Sequence, residues 1–274
     1  MLVRRMFSRR WLLATLLVLA GAAVCIRLGI WQLDRLEQRR AFNTRVSAQL
    51  EQAPLELTPA AVAALTDADL YNQEYRQVVV QGTYDHSQEV AIQNQAWENQ
   101  WGVHLLTPLV ISGTQQAILV DRGWIPAADF AAGDWQAYQE PGIVTVSGIL
   151  RRPQTKAEIG NRSDPTPAPG EGPRKSWYFV NIAQISRQVS TPLLGAYIQQ
   201  APQPTHTGLP YRALAKVEIS EGPHMGYALQ WFTFAALLLI GYPFFIRRQE
   251  KRPAATRKSS GGAAQPPTAS GGSQ

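Results

Sequence analysis

Residues 225–246 run for twenty-two positions without a formal charge. A membrane-spanning helix needs about 20 predominantly apolar residues, so this segment is long enough to cross a bilayer. Near the other end, residues 11–26 are also uncharged; Arg27 interrupts them and 28–33 resumes the apolar run. Two such segments force the intervening chain to fold as one domain on one side of a membrane. Basic residues crowd the outer ends of both: Arg4, Arg5, Arg9 and Arg10 before the first, Arg247, Arg248, Lys251, Arg252, Arg257 and Lys258 after the second. Cytoplasmic flanks carry the Lys/Arg excess, which predicts that both termini are cytoplasmic. The expected plan is a cytoplasmic N-terminus at 1–10, a first transmembrane helix at 11–33, an extracytoplasmic domain at 34–222, a second transmembrane helix at 223–246, and a basic, disordered cytoplasmic tail at 247–274. Trp31 and Tyr227 then lie at the far interface, where aromatic side chains collect. A rival reading takes Ser8-Arg9-Arg10-Trp11-Leu12-Leu13 as a twin-arginine export signal cleaved near Ala20-Gly21-Ala22, leaving an exported binding protein anchored by its C-terminal helix alone.

Composition narrows the function. Charged residues make up only 17% of the chain, against roughly 25% in soluble proteins. Of the net charge of +6, the first ten residues carry +4 and residues 247–274 carry +5, so 11–246 is net −3. No basic face remains to track phosphates, which argues against nucleic-acid binding. A single cysteine, Cys25, excludes an intrachain disulfide framework, and three methionines exclude a Met-rich copper carrier.

The middle of the chain reads as α+β. Residues 34–52 lack Gly and Pro, so the first helix is expected to continue out of the membrane and stop before Pro54. Thr58-Pro59 ahead of 60–65 has the form of an N-cap and a first-turn proline. Alternating patterns predict strands at 77–84, 89–94, 103–111, 116–120 and 143–151, the third and fourth forming a hairpin across Ser112-Gly113. Pro108 within the third points to an edge or a bulge. Short apolar runs at 177–180, 197–200 and 214–219 are weaker strand candidates, and 182–189 a helix candidate. Residues 153–175 are expected to form a long Pro/Gly-rich loop. The fold class is thus an α+β membrane protein: two transmembrane helices flanking a β-rich, mainly antiparallel extracytoplasmic domain.

Chemistry is sparse. His86, His104 and His206 stand at no metal-ligand spacing, and no phosphate loop or nucleophile elbow occurs, so an enzyme is not expected. Asp121-Arg122-Gly123-Trp124-Ile125-Pro126 is the densest mixed motif. It fits a strand end with an ion pair, a turn glycine and a packed Trp; alternatively Asp121, Arg122 and Trp124, with Arg35, form a partner-contact surface. On the second apolar segment His224, Tyr227, Ala228, Trp231 and Ala235 share one helical stripe. An imidazole among small and aromatic side chains suits ligation of haem iron; it equally suits an interfacial histidine bonded to a loop or headgroup. Arg27 and Gln230 are each six residues inside the outer end of their segments. They are expected to meet across the helices, unless Arg27 pairs with a haem propionate or snorkels to headgroups.

The ordered motifs carry a resemblance. Gly29-Ile30-Trp31-Gln32-Leu33-Asp34-Arg35 leaves the first helix; Tyr75-Arg76-Gln77-Val78, Gly82-Thr83-Tyr84-Asp85, Leu106-Thr107-Pro108-Leu109, Leu119-Val120-Asp121-Arg122-Gly123-Trp124, Val146-Ser147-Gly148-Ile149-Leu150-Arg151 and Trp177 follow. His224-Met225-Gly226-Tyr227-Ala228-Leu229-Gln230-Trp231-Phe232 closes the series. Together, over 28–246, this resembles the Surfeit-locus-one family of cytochrome oxidase assembly factors. The resemblance implies a non-enzymatic factor in the plasma or inner membrane that binds haem a and passes it to cytochrome c oxidase subunit I. The partners it implies are that subunit, haem a synthase and the lipid bilayer. It maps the family's haem-binding histidine onto His224, with Tyr227, Trp231, Gln230, Arg27 and Trp31 as its candidate surroundings. A scaffold that holds oxidase subunits without touching haem is the alternative. The chain departs from the family pattern at Gly222-Pro223, where asparagines are frequent, and at Asn181, where an aspartate is expected.

Overall fold

The computed structural model describes residues 6–133, 135–156, 163–164, 172–214 and 217–251. Arg4, Arg5, most of the 153–175 loop and the tail beyond Lys251 lie outside the described residues. In chain order the elements are α1 (Leu12–Glu51), β1 (Leu55–Glu56), α2 (Pro59–Ala64), α3 (Asp67–Asn72), β2 (Gln77–Tyr84), β3 (Val90–Trp97), β4 (Gln100–Ile111) and β5 (Ala117–Pro126). Then come α4 (Ala127–Ala132), β6 (Ile143–Arg151), β7 (Ser176–Trp177), α5 (Ile182–Ile185), β8 (Leu193–Gln200) and α6 (His224–Lys251). Two units divide the chain: residues up to Gln38 with those from Gly222, and Arg39–Glu221.

The first unit is a helix pair. Both α1 and α6 are long and apolar enough to cross a membrane. Thr15, Ala22 and Gly29, seven residues apart, are buried on α1, while Ala228 and Ala235 are buried on α6. A seven-residue repeat keeps one face on the partner helix, and small residues let backbones approach in lipid. The contacts run antiparallel. A Cβ on Gly29 would lie 2.6 Å from the Phe232 ring, and one on Gly21 would lie 3.5 Å from Leu238. The Thr15 and Tyr242 hydroxyls are 2.9 Å apart, and the Trp11 and Phe245 rings meet edge to face at 6.1 Å. The remaining surface is apolar and exposed, as at Leu13, Leu17, Leu229, Leu237 and Phe244. An exposed apolar surface of this extent is a liability in water and matches a lipid environment.

The second unit is a β-barrel. Strands pair in the order β1-β2-β6-β8-β5-β4-β3-β7, and β2 also pairs with β4, so β2, β6, β8, β5 and β4 close a ring. Antiparallel pairings predominate; β5–β8 is parallel within the ring. Val78, Val80, Leu109, Ile118, Val120, Val146, Leu150, Ala196 and Ile198 fill the interior, under Val62 of α2 and Leu70 of α3. A second cluster packs Leu106 and Leu119 against Trp177, Ile182 and Ile185. β4 and β5 are therefore covered on both faces, which explains their near-continuous apolar sequence. Pro108 is neither at a sheet edge nor at the bulge. It lies where the outer edge of β4 passes from β3, paired as far as Leu106, to β2, paired from Leu109, so its missing N–H interrupts no ladder. Thr58 caps α2 by accepting from the Ala61 N–H, with Pro59 opening the helix, and Thr66 with Asp69 forms a capping box on α3. The strand expected at 214–219 is absent among its described residues.

The Asp121–Pro126 motif forms the last six residues of β5. The expected ion pair and packed Trp are present, but the glycine sits in a bulge instead of a turn. Leu105 pairs with Gly123 and Leu106 with Asp121, leaving Arg122 as the extra residue of a bulge. Gly123 takes φ +121, and a Cβ there would lie 2.4 Å from the Tyr211 carbonyl oxygen. The bulge shifts the alternation from Gly123 onward; Arg122 itself follows Ile118 and Val120 on the inward face of β5 and points into the protein. Its guanidinium, fully buried, pairs with Glu89 at 2.8 Å and Glu140 at 3.0 Å and donates to the Tyr138 carbonyl. Glu140 also accepts from Arg212 at 2.5 Å, while Glu89 accepts from Thr107 and lies 3.5 Å from His86 Nδ1. Burial opposes ionisation of Glu89, but hydrogen bonding from His86 and the Arg122 charge outweigh it, holding its carboxyl below the ordinary range.

Two measurements test these contacts. Arg122→Met leaves the buried Glu89 carboxylate without its guanidinium and should cost about 3–5 kcal/mol in chemical denaturation of the full chain in micelles; a cost under about 1 kcal/mol would contradict a buried network. With Cys25 replaced by Ser, Gly21→Cys and Leu238→Cys should crosslink on mild oxidation. Adding Gly29→Leu should cut that yield severalfold, and an unchanged yield would mean the helices do not meet at Gly29.

Candidate functional site

The site lies where the helix pair ends. Gln32, one turn beyond Gly29 on α1, presents its amide to His224, the first residue of α6. His224 Nδ1 is 2.8 Å from Gln32 Oε1. An amide oxygen only accepts, so in the neutral ring Nδ1 carries the proton and Nε2 the lone pair. No described residue takes a hydrogen bond from or to Nε2. Pro223 precedes the helix, its carbonyl accepting from the Tyr227 N–H at 3.1 Å. A second shell that fixes the tautomer and leaves one nitrogen bare is the arrangement by which proteins prepare histidine as a metal ligand.

The other residues singled out in the sequence divide by face. Trp231 is half-buried, edge to face with Phe234 at 5.9 Å. Tyr227 is 48% exposed and Trp31 41% exposed. Gly226 leaves the helix surface open, with nothing within 4 Å of a Cβ placed there. Arg27 and Gln230 are both exposed and make no contact with one another. Their depths match, but Arg27 is two residues from Gly29 and points away from the seam, so the expected Arg27–Gln230 hydrogen bond does not form. Arg35 is also on the surface, 5.5 Å over the Trp31 ring and donating to Gln38 at 3.0 Å.

The partner-contact reading of Arg122 and Trp124 is corrected. Arg122 is enclosed by its carboxylates. Trp124, 1% exposed, stacks on Tyr211 and donates from Nε1 to the Gln95 carbonyl at 3.3 Å. Neither offers a surface. Asp121 is turned to His104, whose Nδ1 lies 2.9 Å from its carboxylate. Asn181, where an aspartate is expected, caps α5 by accepting from the Gln184 N–H. The carboxylate of that region comes from Asp164, which accepts from the Tyr178 and Phe179 N–H groups at 2.6 and 3.2 Å. Gln32 was not singled out in the sequence; the antiparallel register that brings it to His224 has no local signature.

Fold and site define a β-barrel protein carried between two apolar helices that are paired through a terminal histidine. The SURF1 family model matches residues 19–236. A SURF1-like protein of Monosiga brevicollis is 25% identical over 242 residues, covering 84% of this chain and 87% of its own. Surfeit locus protein 1 of Mus musculus is 26% identical over 241 residues, covering 82% and 74%. An uncharacterised SURF1-like protein of Mycobacterium bovis is 24% identical over 237 residues, covering 86% and 83%. The chain belongs to the SURF1 family.

Proposed function

We propose that this protein is a membrane-anchored, non-enzymatic assembly factor for haem–copper cytochrome c oxidase, which holds haem a as cargo for insertion into subunit I. The reading is carried by the Gln32–His224 hydrogen bond of 2.8 Å, which commits Nδ1 and leaves Nε2 as a ready iron ligand. The residues fit such a group. Tyr227 and Trp31 offer aromatic surface beside an open helix face at Gly226, and the exposed Arg27 guanidinium is suited to a propionate. Subunit I and haem a synthase are the partners this role requires.

The proposed topology places both termini in the cytoplasm and the barrel outside the cytoplasmic face of a plasma or inner membrane. It rests on the arginines and lysines that flank the outer ends of both helices. Within it, the spans are 11–33 and 223–246, the rest of α1 stands clear of the bilayer, and 34–222 is the extracytoplasmic domain.

Protein purified from cells that make haem a should show Soret absorbance. His224→Ala should abolish it while the protein stays folded in the membrane, and Gln32→Leu should weaken haem retention by about 10–100-fold, the usual effect of a lost supporting hydrogen bond. Full haem retention in His224→Ala, or no Soret band in the parent protein, would leave the scaffold alternative. Alkaline phosphatase fused after Val120 should be active and after Ala255 inactive; the opposite pattern would reverse the topology.

A further inference from the structure

His104 and Asp121 answer to no part of the haem-handling role. They line a cavity of about 210 Å³ in the barrel unit, together with Arg151 and Tyr197. Each of the three donors there has unused capacity. His104 spends Nδ1 on both Asp121 oxygens, each at 2.9 Å, and its Nε2 has no partner among the described residues. Arg151 lies 4.9 Å over the Tyr75 ring and 3.8 Å from Glu74, a carboxylate that Arg152 approaches more closely at 3.4 Å. The Arg151 guanidinium makes no hydrogen bond among the described residues, and its buried Nε is unsatisfied. Tyr197 keeps its proton throughout the physiological range, because burial pushes its hydroxyl up to about 12. That hydroxyl too has no hydrogen-bond partner among the described residues.

A guanidinium with unspent hydrogen bonds, a phenol and an imidazole converging on one cavity are suited to an acceptor. Among the described residues the one carboxylate on its wall, Asp121, is taken by His104 and by the Gly123 N–H at 3.1 Å. Ile92, Phe179 and Val180 supply an apolar wall. Arg151 and Tyr197 also line an adjoining cavity with Arg152, Lys156 and Glu74, where the two further basic side chains outnumber the one carboxylate. Metal binding is not what this set offers, since no group of three ligating side chains occurs among the described residues.

We propose that this cavity is a second binding site, for a small molecule with a carboxylate on an apolar body, held by His104 Nε2–H, Arg151 and the Tyr197 hydroxyl. His104 contributes as imidazolium. Burial disfavours that form, but the charge and hydrogen bond of Asp121 outweigh burial and raise its pKa above 6.5. Arg151, the neutral Tyr197 and the Tyr178 side chain face it from the other elements of the cavity. Below that pKa the imidazolium donates to the ligand; above it, Nε2 presents a lone pair that repels a carboxylate.

Benzoate is the probe, and benzamide its uncharged counterpart, titrated into the full chain in nanodiscs. Histidine ring ¹⁵N signals serve as the readout. The His104 ring should shift saturably with benzoate, and His206 should not. Affinity should be about tenfold or more higher near pH 6 than near pH 9, and His104→Gln and Arg151→Gln should each lose about tenfold, the scale of one charge-assisted hydrogen bond. The two variants act from different strands, so a folding defect in one leaves the other decisive. Equal binding of benzamide, full affinity in both variants, or no saturable shift by about 50 mM benzoate, well above millimolar affinity, would overturn the proposal. Because this readout contains no haem, its failure leaves the reading of His224 standing, and loss of Soret absorbance in His224→Ala leaves this site standing.

Discussion

Close contact between two nearly featureless helices governs the helical unit. Lipid tails are as apolar as leucine, so helices in a bilayer gain little by hiding Leu from solvent. Association must come from tight packing and from polar groups with no better partner. Both are present. Gly29 lets the Phe232 ring lie where any side chain would intrude, and Thr15–Tyr242 and Gln32–His224 close the two ends of the interface. Interhelical hydrogen bonds in membranes average roughly 0.6 kcal/mol, so neither bond dominates the energy. Their contribution is register. Sliding one helix by a turn moves it 5.4 Å and breaks both bonds at once. The tautomer of His224 is thereby tied to packing that extends to the opposite end of the helix pair.

The barrel meets a different constraint, because five strands cannot close a ring around charged groups unless each is matched. The match is made locally at Arg122. Its guanidinium, on the inward face of β5, pairs with Glu89 and Glu140, and Arg212 supplies a second positive charge to Glu140. Buried pairs of this kind are weak evidence for net stability, since desolvation offsets much of the attraction. They are strongly asymmetric, however: losing one member strands the others. The network therefore favours one arrangement of β5 against β4, and it is this arrangement that turns Asp121 toward His104.

The sequence conveyed most where a signal is local and periodic. The strands at Gln77–Tyr84 and Ile143–Arg151 alternate cleanly and match their expected bounds, and Thr58-Pro59 marks the start of α2. It misled where tertiary context decides. Gly123 reads as a turn because a charge and a glycine interrupt an apolar run; only the pairing with Leu105 and Leu106 reveals a bulge with Trp124 buried beyond it. Thr66 and Asp69 did carry a local signature, a capping box, and α3 was missed although that signature was present. Counting residues from the helix ends placed Arg27 and Gln230 correctly in depth. Depth does not specify face, and the seam through Thr15, Ala22 and Gly29 turns Arg27 outward. Gln32 went unnoticed for the same reason, since its importance depends on which residue of α6 arrives opposite it.

His224 and His104 share one device in the two proposed sites. Each commits Nδ1–H to an oxygen and leaves Nε2 open. The difference lies in the acceptor. Gln32 brings an amide oxygen without formal charge, so it selects the tautomer and leaves a lone pair on Nε2, which is what a metal ion needs. Asp121 brings a full negative charge that favours the imidazolium, the form in which Nε2 carries a proton and is a donor, which is what an anion needs. An amide at position 121 would remove that charge and lower the pKa of His104, taking the donor away from Nε2. Across the two units, then, a single hydrogen-bond acceptor beside each imidazole decides whether the open nitrogen acts as a base or as an acid.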